Sequence, residues 1–173
     1  MNVLENYYKK IIRYDLINKF FYRNLNDIPE LKKIILNFST QNIAASFLIL
    51  ELITGKQGTI TKSKRTNILL KIRKGNPIGC IIILKKTSMY CFFWKLLTEV
   101  FPNSKDFKKI NVSRKLSGKN LSLILADLIY FKELEKQFYL FKDLPPLNIT
   151  FVINSKIPKE IVFLLHSFKI PLF

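Results

Sequence analysis

The sequence predicts an α+β fold, an antiparallel sheet with its helices packed on one face. Short apolar runs alternate with helical patterns in the order α, β, α, several β, α, β, α, which lacks the regular strand–helix repeat of a parallel sheet. Lys74-Gly75-Asn76-Pro77 and Ser117-Gly118-Lys119-Asn120 are turn sequences between neighbouring runs, as in hairpins. A hydrophobic content of 49%, with 15 Phe and 7 Tyr, supplies a real core and excludes a disordered chain. At 173 residues a single domain is expected. Within it, 1–30 reads as a helix and linker, 31–120 as a basic core, and 121–173 as C-terminal strands and helix.

From the N-terminus, Tyr8, Ile11, Ile12, Leu16 and Phe20 recur at helical spacing, with Lys9, Lys10, Arg13 and Lys19 elsewhere on the cylinder, so Tyr7–Tyr22 is expected to be an amphipathic basic helix. Asn24 to Pro29 breaks it. Leu31–Phe38 reads as a largely buried strand. Ser39 or Thr40 is placed to cap a helix from Gln41 to Ile53, which Gly55 stops. Gly58–Thr61 and Asn67–Arg73 read as extended, and the Lys74–Pro77 turn leads into a strand over Ile78–Lys85. Tyr90–Val100 reads as an aromatic-rich helix ending before Pro102, because a residue preceding proline is pushed out of the α region. Ser104–Lys119 reads as a basic loop, Leu121–Ile129 as a strand, and the following polar and aromatic piece as helix-like up to Pro145-Pro146. Leu147–Ile153 is the last strand, and Pro158 opens a final helix over Lys159–Phe168.

Charge is the strongest compositional signal. The chain carries 29 Lys and Arg against 12 Asp and Glu, a formal net charge of +17, of which +16 lies before Leu121. Between Glu51 and Glu99 there are ten basic residues and no acid. Self-repulsion of this size implies an anionic partner, and the acid-free interval is its expected footprint. The face of the sheet opposite the helices is then free for RNA. A bilayer surface is the other anionic candidate, but the longest uncharged stretch, Ile34 to Leu50, is interrupted by Asn37, Ser39, Thr40, Gln41, Asn42 and Ser46 and falls short of the run of about 20 mostly apolar residues that a span needs. No membrane insertion and no cleavable targeting segment is expected; Glu5 and Asp15 stand where import peptides avoid acids. Ile, Lys, Asn and Phe supply 77 residues, whereas Ala, Gly, Pro and Arg supply 20. That bias fits an A+T-rich, organellar gene.

The chemistry of a catalytic or metal site is not visible. Two cysteines, Cys80 and Cys91, and the single His166 make no zinc pattern, so no metal is assigned, and both cysteines read as buried inert thiols. His166 stands on a helix without a Ser or Cys partner motif. Gly55-Lys56 and Gly58 match neither phosphate-loop pattern, and no cofactor is expected. Glu133 and Glu135, two apart on a helix, point to different faces. The aromatic run Tyr90–Trp94 reads as core rather than as a base-stacking platform. The functional reading is kept for Lys62, Lys64, Arg65 and Arg73, which have no acidic neighbours in sequence.

The spacing of Leu31–Asn37, Ile53-Thr54-Gly55, Thr61-Lys62-Ser63-Lys64 and Arg73–Cys80 resembles the large-subunit ribosomal protein five family. Tyr7-Tyr8-Lys9, Ile28-Pro29, Pro102, Asp106-Phe107, Gly118-Lys119-Asn120, Leu147–Thr150, and Pro171 with Phe173 extend the resemblance over nearly the whole chain. It implies a structural protein of the central protuberance, not an enzyme. Asn37, Thr61, Lys62, Lys64, Arg65 and Arg73 would contact 5S rRNA, joined by Lys56. The loop of Lys74, Gly75, Asn76, Pro77, Ile78 and Gly79 would face the peptidyl-site tRNA. Large-subunit rRNA, neighbouring large-subunit proteins and a small-subunit head protein are the other implied partners. Three departures stand out. Lys56 replaces a neutral Gln, Cys80-Ile81-Ile82-Ile83-Leu84-Lys85 replaces a Cys-Lys-Val-Thr-Leu-Arg strand, and Lys132 replaces a proline. They fit an organellar member, with mitochondrion favoured over plastid, whose RNA partner is 5S rRNA or an element that replaces it. A membrane-surface protein and an unrecognised enzyme follow as second and third readings.

Overall fold

The computed structural model describes residues 3–39, 42–104, 116–117, 120–135, 145–155 and 157–170. Six strands form one sheet: β1 (Glu30–Ser39), β2 (Thr59–Lys62), β3 (Pro77–Leu84), β4 (Leu116–Ser117), β5 (Asn120–Leu125) and β6 (Leu147–Asn154), in the order β2-β3-β1-β6-β5-β4. β2 pairs with β3, and β4 with β5, antiparallel. The helices are α1 (3–19), α2 (Ile43–Thr54), α3 (86–103), α4 (Lys132–Glu135) and α5 (Pro158–Ser167). The fold is α+β, as the sequence implies.

Alternation along the strands shows why one face is covered. Ile34, Leu36 and Phe38 in β1, Cys80, Ile82 and Leu84 in β3, Leu121, Leu123 and Leu125 in β5, and Leu147, Ile149, Phe151 and Ile153 in β6 are all buried. The residues between them, among them Ile35, Asn37, Ile81, Ile83, Ser122, Ile124, Asn148 and Thr150, are half-buried or exposed. Period-two burial of this kind marks an antiparallel sheet packed on one side only.

The chain divides into two compact units, one from Met1–Ile34, Leu84–Leu123 and Thr150–Phe173, the other from Ile35–Ile83 and Ile124–Ile149. In the first unit, Phe93 meets Phe151 and Phe168 edge-on, at centroid distances of 5.6 and 5.2 Å, and Tyr8 stacks on Phe168 at 6.2 Å. Burying such a ring contributes about 1.5–3 kcal/mol, and edge-on aromatic pairs add about 0.5–1.5 kcal/mol. The Tyr8 hydroxyl donates to the Pro29 carbonyl at 2.9 Å, tying α1 to the start of β1. In the second unit, α2 buries Ser46, Ile49, Leu50 and Ile53. Ser46 Oγ lies 3.4 Å from Cys80 Sγ, so the β3 thiol is sealed beneath the helix. α4 packs against α2.

Several elements differ from expectation. α1 starts at Val3 and stops at Lys19, and a π turn over Tyr8–Ile12 leaves Leu4, Tyr8, Ile12 and Leu16 inside while Ile11 is exposed. Asn42, not Ser39 or Thr40, caps α2: its side chain accepts from the Ala45 amide, and Gly55 ends the helix at φ 63°. α3 begins four residues before Tyr90, at Lys86, and continues through Pro102. A π turn over Leu96–Val100 precedes the proline, with the Phe101 amide donating to the Leu96 carbonyl. This widened turn changes the bonding register that the ring would otherwise break. Asn67–Arg73 is not a strand; only Asn67 and Ile72 bridge, and the chain turns between them. Cys91 is exposed, because its position in α3 points away from Phe92 and Phe93. Most of the expected 104–119 loop and the 136–144 part of the helix-like piece lie outside the described residues.

Candidate nucleic-acid interface

All the candidate RNA-binding residues fall in the second unit. β2 and β3 form a hairpin in which Thr61 stands opposite Gly79, with the register shifting between Thr61 and Lys62. A Cβ built on Gly79 would lie 2.1 Å from the Phe38 carbonyl oxygen. Glycine there lets β3 approach β1 closely. Thr61, opposite Gly79 on β2, and Asn37 of β1 therefore stand two strands apart, with β3 between them. By strand alternation, Asn37 and Thr61 share the open face, both half-buried, with amide and hydroxyl groups accessible.

Beyond β2 the hairpin continues as a ladder of backbone bonds. The Ser63 amide donates to the Asn76 carbonyl at 2.8 Å, the Gly75 amide to the Ser63 carbonyl at 2.9 Å, and the Asn76 amide to the Arg73 carbonyl at 3.1 Å. Gly75 stands at φ 90°, in a region that L side chains rarely adopt. Further out, the Asn67 amide donates to the Ile72 carbonyl at 2.8 Å and the Ile72 amide to the Asn67 carbonyl at 3.0 Å, closing a tip of Ile68, Leu69, Leu70 and Lys71. Lys71 turns the chain at φ 52°. Ile68 and Leu69 are 89% and 94% exposed, so the tip is an apolar prow on a basic stem.

Lys56, Lys62, Lys64, Arg65 and Arg73 are exposed, and none forms an ion pair among the described residues. Lys62, Lys64, Arg65 and Arg73 flank the hairpin stem; Lys56 sits separately, just after Gly55 at the end of α2. Cations in this state are fully available to phosphates, and release of condensed counterions makes such contacts favourable and steeply salt-dependent. Of the expected tRNA-facing loop, Lys74, Gly75 and Asn76 are exposed turn residues, whereas Pro77, Ile78 and Gly79 belong to β3 and Gly79 is buried. The exposed tip at Ile68–Leu70 is not evident from the sequence, because an Ile-Leu-Leu run in a basic segment reads as a strand. Its one available signal is Asn67, whose side chain accepts from the Leu70 amide and starts the turn.

The open sheet face is otherwise rather apolar. Ile83 is 46% and Ile124 58% exposed, with Ile35 and Ile81 half-buried on the same side. Among the described residues no group of three His, Cys, Asp or Glu is placed to hold a metal ion, and no helix is long and apolar enough to cross a membrane.

The family model of the ribosomal L5 C-terminus matches residues 77–172. The large ribosomal subunit protein uL5m of Reclinomonas americana is 39% identical over 99% of this chain and 98% of its own. The chain belongs to the uL5 family of ribosomal proteins. Bacterial members are similar over comparable lengths: uL5 of Wigglesworthia glossinidia brevipalpis is 33% identical over 97% of each chain, and uL5 of Desulforapulum autotrophicum 32% over 99% and 98%. This uL5 chain is accordingly a large-subunit ribosomal protein, a structural component rather than an enzyme, incorporated with rRNA and other ribosomal proteins.

Proposed function

We propose that the chain is the uL5 protein of a mitochondrial ribosome and binds 5S rRNA, or the rRNA element that replaces it, in the central protuberance. The observation that supports the RNA contact is the exposed basic hairpin stem, free of ion pairs among the described residues, in the same unit as Asn37 and Thr61 on the open sheet face. Lys62, Lys64, Arg65 and Arg73 neutralise phosphates, while Asn37 and Thr61 supply directional hydrogen bonds. Lys56 adds a further cation at the end of α2.

The Arg73–Asn76 turn and the Ile68–Lys71 tip project from the stem and face the peptidyl-site tRNA, with the exposed aliphatic side chains packing against its bases and sugars and Lys71 and Lys74 against its backbone. Neighbouring large-subunit proteins and a protein of the small-subunit head complete the partner set. The mitochondrial assignment is supported by the 39% identity to a uL5m protein and by the A+T-rich coding bias. The isoleucines Ile81 and Ile83 support an altered RNA partner, since the face they occupy carries fewer polar groups.

Binding of the full chain to in vitro transcribed 5S rRNA, compared with a K62Q/K64Q/R65Q/R73Q variant, tests the RNA reading. The affinity should fall and the salt slope flatten by roughly 0.7–0.9 for each phosphate no longer neutralised. Equal binding by the two proteins at every salt concentration would remove the hairpin from the interface. Binding to anionic vesicles that survives ribonuclease, without RNA binding, would favour the membrane-surface reading instead.

A further inference from the structure

Within the first unit, the segment after α1 and the start of α5 enclose a pocket of about 260 Å³ that the hairpin site does not use. Phe21, Tyr22, Arg23 and Asp27 line it from one segment, Ile157 and Glu160 from the other. Glu160 is the unusual member. It is only 5% exposed, yet it forms no ion pair among the described residues. Its Oε2 accepts from the neutral Ser155 hydroxyl at 2.6 Å. Its place in the first turn of α5 adds only the partial charge of a helix start, roughly half a unit. Buried carboxylates are ordinarily matched by a full counter-charge. A chain of net charge +17 has cations in excess, and none among the described residues is brought within ion-pair distance of this one.

Tyr22 supplies an independent observation. Its hydroxyl oxygen is sealed from solvent and makes no hydrogen bond of proper geometry, although the Glu160 carboxylate is near. Burial first, and Glu160 second, hold its pKa well above the usual phenol range, so the hydroxyl stays protonated. The pocket therefore presents a charged acceptor beside an unused hydroxyl oxygen, and the group that satisfies both is a cation with several N–H donors. At the mouth, the Phe21 ring is fully exposed and Ile157 is 48% exposed. Aromatic side chains are enriched in protein interfaces, and their faces attract cations.

We propose that this pocket receives the guanidinium of an arginine side chain from a neighbouring ribosomal protein, the stem lying against Phe21 and Ile157 and the head between Glu160 and Tyr22. The carboxylates repel phosphate, so neither RNA nor an anionic bilayer fits. A free polyamine would meet the carboxylates but leave Phe21 and Ile157 uncovered. Arginine suits the site better than lysine because its planar fork donates to two acceptors at once. Arg23 is the competitor from within the chain; it is exposed and forms no ion pair among the described residues. The inference rests on the ribosomal reading only for where the partner is met, and the chemistry of the pocket is independent of the hairpin.

The test uses the isotope-labelled full chain at near-physiological salt, with the capped peptide Ala-Arg-Ala as probe and its citrulline counterpart, equal in shape but neutral, as control. The arginine peptide should shift the amide resonances of Tyr22 and Ile157 saturably, and E160Q should weaken it about tenfold or more. F21A, which removes a fully exposed ring and leaves the core untouched, should weaken it about threefold. Equal binding of the citrulline peptide, or unchanged binding by both variants, overturns the site. Spermidine that displaces the peptide at equal or lower concentration would give the pocket to a free polyamine and overturn the protein partner. A stability coupling between R23Q and E160Q in a double-mutant cycle would place Arg23 on Glu160 and likewise overturn the proposal. In assembled large subunits, a photoreactive benzoylphenylalanine at position 21 should cross-link to an arginine-containing segment of another protein, and E160Q should abolish the link. A cross-link to rRNA instead, or one that E160Q leaves intact, contradicts it. Loss of 5S rRNA binding by the hairpin variant, or its absence, alters none of these outcomes.

Discussion

Gly79→Ala isolates the close approach on which the interface geometry depends. The added methyl would sit 2.1 Å from the Phe38 carbonyl oxygen, 3.2 Å from the Phe38 carbonyl carbon and 3.3 Å from Ser39 Cα, all backbone atoms that cannot rotate away. Ordinary contact needs roughly 3.5 Å, so β3 must part from β1 by over about 1 Å, far enough to stretch adjoining ladder bonds past useful length. Losing two such bonds at about 1 kcal/mol each, with a further ~1–2 kcal/mol of strain, gives a loss of roughly 3–4 kcal/mol. Urea unfolding followed by circular dichroism should show a lower midpoint with an unchanged slope, and RNA affinity should fall because Asn37 and Thr61 no longer align. Gly75→Ala is the control. Its Cβ meets nothing within 4 Å and suffers only from φ 90°, for which about 1–2 kcal/mol is expected. If Gly79→Ala proves as stable as the parent, or costs less than Gly75→Ala, the close approach does not organise the sheet.

Other perturbations separate binding from stability. The K62Q/K64Q/R65Q/R73Q variant should keep the parent Tm within a few degrees, since exposed charges without partners contribute little, while losing RNA affinity; a large fall in Tm would mean that the stem cations stabilise the fold. Ser155→Ala removes a buried hydroxyl that donates to Glu160 Oε2 at 2.6 Å and accepts from the Ile157 amide at 3.2 Å, just before α5. It should cost about 1–3 kcal/mol by leaving Glu160 under-satisfied, and a neutral result in thermal unfolding would show that water replaces the hydroxyl. For Tyr90, the folded pKa of about 12 lies above the unfolded value of 10.0. The folded state therefore holds the proton more tightly, so the stability it contributes is present below pH 10 and drains away as pH rises toward 12. Tyr90→Phe should flatten that decline, and an equal decline in both proteins would assign it to other groups.

The strands were legible as short apolar runs rich in β-branched residues and bounded by turn residues, but the covered face of β1 and β3 was not, because Ile35, Ile81 and Ile83 on the open side are as apolar as the buried Ile34, Ile82 and Leu84. Gly55 was legible as a helix stop because few residues other than glycine turn easily at φ 63°. The misjudged elements share a different cause. Lys86-Thr87-Ser88 carries no apolar period, so the first turn of α3 was invisible, and the π turn that admits Pro102 depends on bonding register rather than on residue type. Asn42 prevailed over Ser39 and Thr40 as the cap although all three are good cappers, a choice made by where β1 ends. At the interface, the acid-free interval exposed Lys62, Lys64, Arg65 and Arg73 directly. The prow at Ile68–Leu70 stayed hidden because it turns on Lys71 at φ 52°, which nothing in a lysine announces. The Glu160 pocket was hidden for another reason: Phe21 and Tyr22 come from one segment of the sequence, Ile157 and Glu160 from another, and they meet only in the fold.

Whether this uL5 chain joins a mitochondrial large subunit through a 5S-type RNA is decided by sedimenting the tagged protein from mitochondrial lysate, with and without ribonuclease, and sequencing the small RNA that travels with it. Co-migration with the large subunit, abolished by ribonuclease, is expected, together with a 5S rRNA or a defined substitute element that the K62Q/K64Q/R65Q/R73Q variant fails to retain. Migration away from the large subunit, or retention of the same RNA by that variant, would contradict it.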